Sequence, residues 1–538
     1  MKLAELIITE ARARGLQHFF GLPGGGSPLD MMEAGQQLGV DFVSIAHESA
    51  AAIMAAYYGI MKGTAGLALA VKGVGAGNLA AGAVNAYFER APVVCLSESS
   101  PTHVTSAELV QHCNHAGLFG AVVKFQDTLT VDDAPATMQE AVFRATDGRP
   151  GPTLLNLPSD VGGAECEGPL PLKSPPGASS PDASQLAAAR EFLQAAHQPV
   201  VIAGTDVIRA GATQQLLALV ENIGAAVLVN MDARGVFPES HPRWAGVLPG
   251  TYTPNVIETE MLAQADTVVL VGADAMMSHV PWNVELPTCE LVARTDYATL
   301  SPNPTVRVDG DVKTILKSLS SHNQPGFSED QIQGTRRKIL QSFKRPGHAQ
   351  FAAQDVIEIM RRALPPTGVL FSETGAYVCM LEHLWAVDDP STYWGTTGGR
   401  TMGLMMPAIL GAKLAKPEMT AVGIGGDGSL LMRLGELEVF ARTGVAVPLV
   451  IINDQALGTM KSRQKSRGMP EYGLNLHPVD FAQIAMGCGL NGVTVHTPEQ
   501  FETELKLALQ ADRTTLIDAR VDAQAYQDSF GPTIGVRG

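Results

Sequence analysis

The sequence predicts three open α/β domains in tandem, each built on a parallel sheet of the Rossmann-like kind. Three observations carry this. Short, continuously apolar runs, the mark of strands buried on both faces, alternate with stretches whose apolar residues recur at helical spacing. A Pro-, Gly- and Ser-rich connection over 162–185 and a polar one over 318–350 cut the alternation into three blocks. The 538 residues are also too many for one core, since domains run to roughly 100–200 residues.

In the first block, 3–13 reads as a helix and 18–20 leads into the turn Gly21-Leu22-Pro23-Gly24-Gly25-Gly26. Residues 42–46 read as a strand and the Ala-rich stretch 49–58 as a helix. The runs 67–71 and 93–96 read as buried strands, and 153–157 closes the block. The second block offers strands at 199–203, 226–230, 267–271 and 289–294. The connection after it has a helical pattern over 335–343. The third block starts near Phe351, with strands at 369–372, 420–424 and 447–452.

Composition excludes several classes of function. Hydrophobic residues make up 45% and charged residues 17%, which suits packed cores and not a disordered scaffold. A net charge of −16 without a basic stripe argues against a nucleic-acid partner. Six scattered cysteines without a CxxC pair fit a reducing compartment. The stretch 1–17 lacks the continuous apolar core of a signal peptide, and no charge-free apolar run is long enough for a membrane span. The expectation is a cytoplasmic protein with no membrane partner.

The chemistry is densest over 421–458. A strand there ends in Gly425-Gly426-Asp427-Gly428, a helix follows, and a second strand ends in Asn453-Asp454. Two carboxylates thus arrive at the carboxyl ends of two strands, where open α/β sheets place ligands. Glycines let the chain turn close beside a phosphate, and the helix opening with Ser429 would aim its amides there. Asp427 and Asp454 are hard oxygen ligands suited to Mg²⁺. By itself such a stretch also matches an ordinary glycine turn.

This pattern resembles the signature of thiamine-diphosphate-dependent enzymes, and further motifs extend the resemblance over nearly the whole chain. Thr401-Met402-Gly403 and Pro407-Ala408 to Leu414 are similar to a stretch preceding that signature. Ala46-His47-Glu48 and the loop 71–78 are similar to the family's first-domain motifs, although Lys72 precedes that loop and its usual Pro is lost. The second block is similar to the acetolactate synthase branch, and the whole also resembles benzoylformate decarboxylase.

The resemblance implies a pyrimidine-binding domain over 1–162, a central domain over 187–330 and a diphosphate-binding domain over 351–532. It implies thiamine diphosphate and Mg²⁺ as cofactors. Asp427, Asp454 and the carbonyl of Ala456 would hold the metal, with Asp454 standing where Asn is usual. Gly426, Gly428 and Ser429 would meet the diphosphate, together with loops carrying Gly375, Thr397 and Gly398. Met402 would prop the two rings of the cofactor against each other, and Glu48 would bond the aminopyrimidine N1′ and favour its imino tautomer. FAD is bound by some relatives, but no flavin fingerprint stands in the second block; Gly204 alone is a weak signal.

The implied reaction is decarboxylation of a 2-oxo acid, with protonation or carboligation of the acyl-anion equivalent, as in acetolactate synthase. The alternatives are a flavin-dependent 2-oxo acid oxidase, a 2-hydroxyacyl lyase and a non-catalytic binding paralogue. Intact Glu48, Met402 and Asp427 speak against the last. Gly25 and Arg463 are candidates for contact with substrate; Arg463 stands in a run of four basic side chains where acetolactate synthases carry a Trp. Solvated surface is the plain alternative for that run. Ser27, His112 and His115 are candidate proton-transfer groups, with packed polar loops as the alternative. The family places its cofactor between subunits, so a homodimer or homotetramer is expected.

Overall fold

The computed structural model describes residues 1–104, 109–172, 179–250, 256–320 and 326–526. Part of the first connection, 173–178, and the end of the third expected domain, 527–532, lie outside the described residues.

Three six-stranded parallel sheets follow one another along the chain. The first holds β1 (His18–Leu22), β2 (Asp41–Ser44), β3 (Gly66–Ala70), β4 (Val93–Ser99), β5 (Gln126–Thr128) and β6 (Pro152–Pro158), in the order β2-β1-β3-β4-β6-β5. The second holds β7 (Pro199–Ala203), β8 (Ala226–Asn230), β9 (Trp244–Leu248), β10 (Thr267–Val271), β11 (Thr288–Val292) and β12 (Val306–Asp309), in the order β12-β11-β10-β7-β8-β9. The third holds β13 (Val369–Ser372), β14 (Tyr393–Trp394), β15 (Ala421–Gly426), β16 (Pro448–Asn453), β17 (Asn491–Val495) and β18 (Thr515–Arg520), in the order β14-β13-β15-β16-β18-β17. β3, β7, β8, β10 and β16 are buried at every residue, which is why they read as unbroken apolar runs.

Several expected elements shift at their ends, among them the strand expected over 289–294, which runs Thr288–Val292. The strand expected over 42–46 stops at Ser44, because His47 takes extended geometry as N-cap of the helix Glu48–Lys62 and its ring accepts the Ser49 amide. The strand expected over 67–71 stops at Ala70, because the chain turns there into the loop 71–73.

The first and third units share one core. The helix Glu48–Lys62 lies against the helix Met405–Ala415, and Gly411 faces the Met54 carbonyl so closely that any Cβ would collide with it. The central unit is fastened to both. Arg149, three residues before β6, inserts its guanidinium between Asp206 and Asp274 (both 3.0 Å), and Arg90 adds a second bond to Asp274 (2.7 Å). Arg234 pairs with Glu239 at 2.6 Å and also donates to the Trp385 carbonyl of the third unit. No described helix is long and apolar enough to cross a membrane.

Candidate cofactor site

Near the middle of each sheet the strand order reverses, between β1 and β3, β7 and β10, and β13 and β15, and the first and third sheets turn back again at β5–β6 and β17–β18. Ligands of open α/β sheets sit beside such reversals, beyond the carboxyl ends of the strands. The three crevices differ in what fills them.

In the third unit, β15 delivers Asp427 and the neighbouring β16 delivers Asp454 to one edge. The Asp427 Oδ1 accepts the Gly428 amide at 2.7 Å, while its Oδ2 is buried without a hydrogen-bond partner. Burial raises the Asp427 carboxyl to about 6, against the pull of the Gly428, Gln455 and Ala456 amides. Asp454 is raised to about 7, first by burial and then by Asp427. The turn after β16 is held in shape by Asn453, whose amide donates to Asp518 (2.7 Å) and whose carbonyl accepts the Gln455 amide (3.2 Å). Gln455 adopts φ of +55°, which swings Ala456 back toward Asp427. Gly458 is required beside it, since a Cβ there would press on Asp454 Oδ2.

Asp427, Asp454 and Gly458 line a cavity of about 150 Å³. Gly375, Met402, Gly426, Gly428, Ser429 and Ala456 line it too, as expected from the sequence. Met402 reaches close to Gly428, where a side chain would crowd it. Thr374, in the same loop as Gly375, lines it with a buried, unpartnered hydroxyl, and Tyr377 and Tyr526 line it without having been singled out in the sequence. The Tyr377 hydroxyl donates to the Glu373 and Ile424 carbonyls, so it braces the loop that carries Gly375. Tyr377 follows closely on the loop after β13, which was the available signal; Tyr526 stands alone in sequence and gave none.

Thr397 and Gly398 do not line this cavity. Thr397 donates its amide and hydroxyl to Glu89 of the first unit (2.8 and 2.7 Å), and Gly398 faces the Phe88 carbonyl. Arg463 does not line it either; it is half-buried on the helix Gly458–Ser466 that leaves the Asp454 loop. Lys461 of the same helix is held by Glu471 (2.6 Å) and Asn475 (2.9 Å).

The first unit carries Glu48 just beyond the carboxyl end of β2. Its side chain is buried, and its Oε2 accepts from the Asn78 amide at 2.9 Å. Its Oε1 faces Gly75, whose missing Cβ leaves that oxygen uncovered. Gly25 faces open space in the turn after β1. Ser27, expected as a proton-transfer group, is fully buried and occupied: it donates to the Pro158 carbonyl (2.6 Å) and accepts the Gly162 amide (2.8 Å). Its hydroxyl ties a helix start to the end of β6. His115 is buried against Asn156 (3.0 Å), and burial lowers its pKa. His112 is exposed and bonded to Ser100 (2.9 Å), next to Gln111, which packs on Gly73. Within one chain Glu48 does not line the cavity of Asp427 and Asp454.

In the central unit the reversal between β7 and β10 is occupied by the Arg149 guanidinium. Gly204 faces the Gly272 carbonyl and Ala273, so its lack of a side chain serves the packing of two loops and not a pyrophosphate.

Three domain families match the chain. They are the thiamine pyrophosphate enzyme N-terminal TPP binding domain over 1–118, the central domain over 186–319 and the C-terminal TPP binding domain over 373–519. The acetolactate synthase isozyme 3 large subunit of Escherichia coli K12 is 29% identical, over 97% of this chain and 95% of its own length. The acetolactate synthase large subunit of Haemophilus influenzae is 27% identical over the same shares. The thiamine diphosphate-dependent 4-hydroxybenzoylformate decarboxylase of Rhodococcus jostii RHA1 superposes with a TM-score of 0.83, at 24% identity, over 97% of this chain and 99% of its own. That likeness establishes the three-sheet fold.

Proposed function

The chain belongs to the thiamine pyrophosphate enzyme family, with N-terminal, central and C-terminal domains all present, and from that premise we propose a thiamine-diphosphate- and Mg²⁺-dependent lyase or transferase that releases CO₂ from a 2-oxo acid and then protonates the acyl unit or joins it to a second carbonyl compound. The observation that carries the reading is the pair Asp427 and Asp454. Two carboxylates share one cavity, one keeps a buried oxygen without a partner, and Asp427 raises the cost of ionising Asp454. Such a pair calls for a cation, and an all-oxygen set selects a hard one.

The residues present fit the cofactor. Asp427, Asp454 and the Ala456 carbonyl would hold Mg²⁺, leaving its other positions to phosphate oxygens and water. Gly426, Gly428 and Ser429 at a helix start, with Thr374 and Gly375 opposite, offer amides and hydroxyls to a diphosphate. Met402 offers an apolar, adaptable prop beside Gly428. When bound, thiamine diphosphate supplies a nucleophilic carbon that adds to the carbonyl and takes up the electron pair freed as CO₂ leaves. Glu48 has one oxygen engaged by Asn78, so Oε1 is the atom that would hold a proton against the aminopyrimidine ring nitrogen.

A homodimer is the smallest assembly this reading allows, because Glu48 and the Asp427 cavity are separate within one chain; a homotetramer would pair two of them. The deciding experiment supplies the purified protein with thiamine diphosphate and Mg²⁺ and offers a panel of 2-oxo acids, with and without acceptor aldehydes. CO₂ release and product mass are read together. No CO₂ from any 2-oxo acid would overturn the assignment.

A further inference from the structure

The edge of the first sheet that carries Glu48 also carries a charged pair that the proposed chemistry leaves unused. β2, β1, β3 and β4 are neighbours, and their carboxyl ends deliver Glu48, Gly24 to Gly26, Lys72 and Glu98 in turn. Val71 joins them, lying against Gly24 on one side and against Gly75, the neighbour of Glu48, on the other. Glu98 is 1% exposed. Its Oε1 accepts the Gly26 amide at 3.2 Å, and its Oε2 has no hydrogen-bond partner. The Lys72 ammonium stands 3.5 Å from that Oε2 and is 22% exposed. Gly24 and Gly26 admit the Glu98 carboxylate, since a Cβ at either would run into it.

An ammonium has three donors, and one loose ion pair leaves at least two of them directed elsewhere. A partly buried ammonium is less screened by water and attracts an anion more strongly than one in bulk water, an attraction that Glu98 offsets only in part across 3.5 Å. Resting on the proposed 2-oxo acid chemistry, we propose that Lys72 is a specificity-determining residue that receives a second acid group of the substrate, making the preferred donor a 2-oxo dicarboxylate. Glu98 is its positioning residue. The carboxylate that leaves as CO₂ is not the partner: a cation fixed on it would stabilise the charge of the ground state and oppose its loss.

The plain competitor is that Lys72 only neutralises Glu98. The test uses the full-length protein loaded with thiamine diphosphate and Mg²⁺, and compares 2-oxoglutarate with 2-oxohexanoate as the ratio of their kcat/KM. In Lys72→Met that ratio falls about tenfold or more, and in Lys72→Arg it stays within about threefold of wild type. The double variant Lys72→Met, Glu98→Gln no longer holds a buried unpaired carboxylate and still shows the low ratio. An unchanged ratio in Lys72→Met, a wild-type ratio restored in the double variant, or a wild-type protein that does not favour the dicarboxylate overturns the proposal. Calorimetry with glutarate, which cannot react, gives a second reading: Lys72→Met weakens its binding about tenfold, and equal binding to both proteins overturns the site. Lys72-dependent glutarate binding in a protein that decarboxylates neither acid would support the anion site while refuting the 2-oxo acid reading.

Discussion

Asp454 is where a single atom's identity has the clearest consequence. It stands where the family signature that the segment resembles usually has Asn, beside a second carboxylate that raises its pKa. Asp454→Ala removes a proposed metal ligand and should weaken Mg²⁺ binding about tenfold or more, a change of roughly 1.4 kcal/mol. Asp454→Asn keeps an oxygen ligand, relieves the repulsion from Asp427 and should stay within about threefold of wild type. Titration calorimetry at saturating thiamine diphosphate separates the two, and equal losses in both would remove Asp454 from the ligand set. Both aspartates ionise near 6 to 7 in the metal-free protein, so protons compete with the cation and its apparent affinity should fall as pH drops from 7.5 toward 6. At the other half-site, Glu48→Gln should still bind cofactor but exchange the C2 proton of bound thiamine diphosphate at least about a hundredfold more slowly. Hydrogen–deuterium exchange followed by NMR after acid quench measures it; a wild-type rate would sink the role given to Glu48.

The helix Glu436–Thr443 shows what an element adds. It follows the Asp427 helix closely and leans on the start of the Glu48 helix, with the Glu436 Oε2 accepting the Ala46 amide (3.4 Å) and Arg433 donating to Ser49 (2.8 Å). Burial raises Glu436 from 4.5 to about 7, and its Oε1 has no partner. The folded protein therefore favours the neutral acid. That contribution is present in full below about pH 4.5 and is lost as pH rises through about 7. Glu436→Gln should be more stable than wild type at pH 8, by roughly 1–3 kcal/mol, with the gap closing toward pH 5. Denaturant melts at the two pH values check this; a constant gap would mean the carboxyl does not titrate in that range. Elements of this kind explain what was legible in the sequence. β7, β8 and β10 are apolar throughout and bounded by turns, so their pattern needed no tertiary context. β5 is exposed at all three residues and β14 has only two, so no apolar run announced them. Asp427 could be read because Gly425, Gly426 and Gly428 mark a turn around it. Lys72 and Glu98 could not be read as a pair, because only the neighbouring of β3 and β4 joins them, although a carboxylate closing an apolar strand was a signal at Glu98.

At the scale of the whole molecule, the separation of Glu48 from the Asp427 cavity makes a quantitative demand. If the site forms between two chains, Glu48→Gln and Asp454→Ala proteins that are each inactive should regain about a quarter of wild-type activity when unfolded together and refolded in equal amounts. Half the dimers are then mixed, and one site in two within them is intact. Persistent inactivity would place the site within one chain. Arg149 makes a different demand. It is 7% exposed between two aspartates of the central unit, and Arg149→Met leaves both charges buried without it, so the unfolding midpoint should drop by the equivalent of about 3–5 kcal/mol. A loss below about 1 kcal/mol would mean that Arg90 on Asp274 and Arg209 on Asp206 suffice as their partners. The strand order of the third sheet bears on time as well as space. β18 lies between β16 and β17 and is hydrogen-bonded to both, yet it is made after either. During synthesis the first two sheets can close while later chain is still being added, whereas the third stays divided until Thr515–Arg520 is free to slide into place. Asp518, the support of Asn453 and so of the Asp454 turn, arrives on that same strand. The half of the site proposed to hold the metal is thus completed last, and a nascent chain stalled before β18 would carry Glu48 in its finished setting but not the supported Asp454 turn.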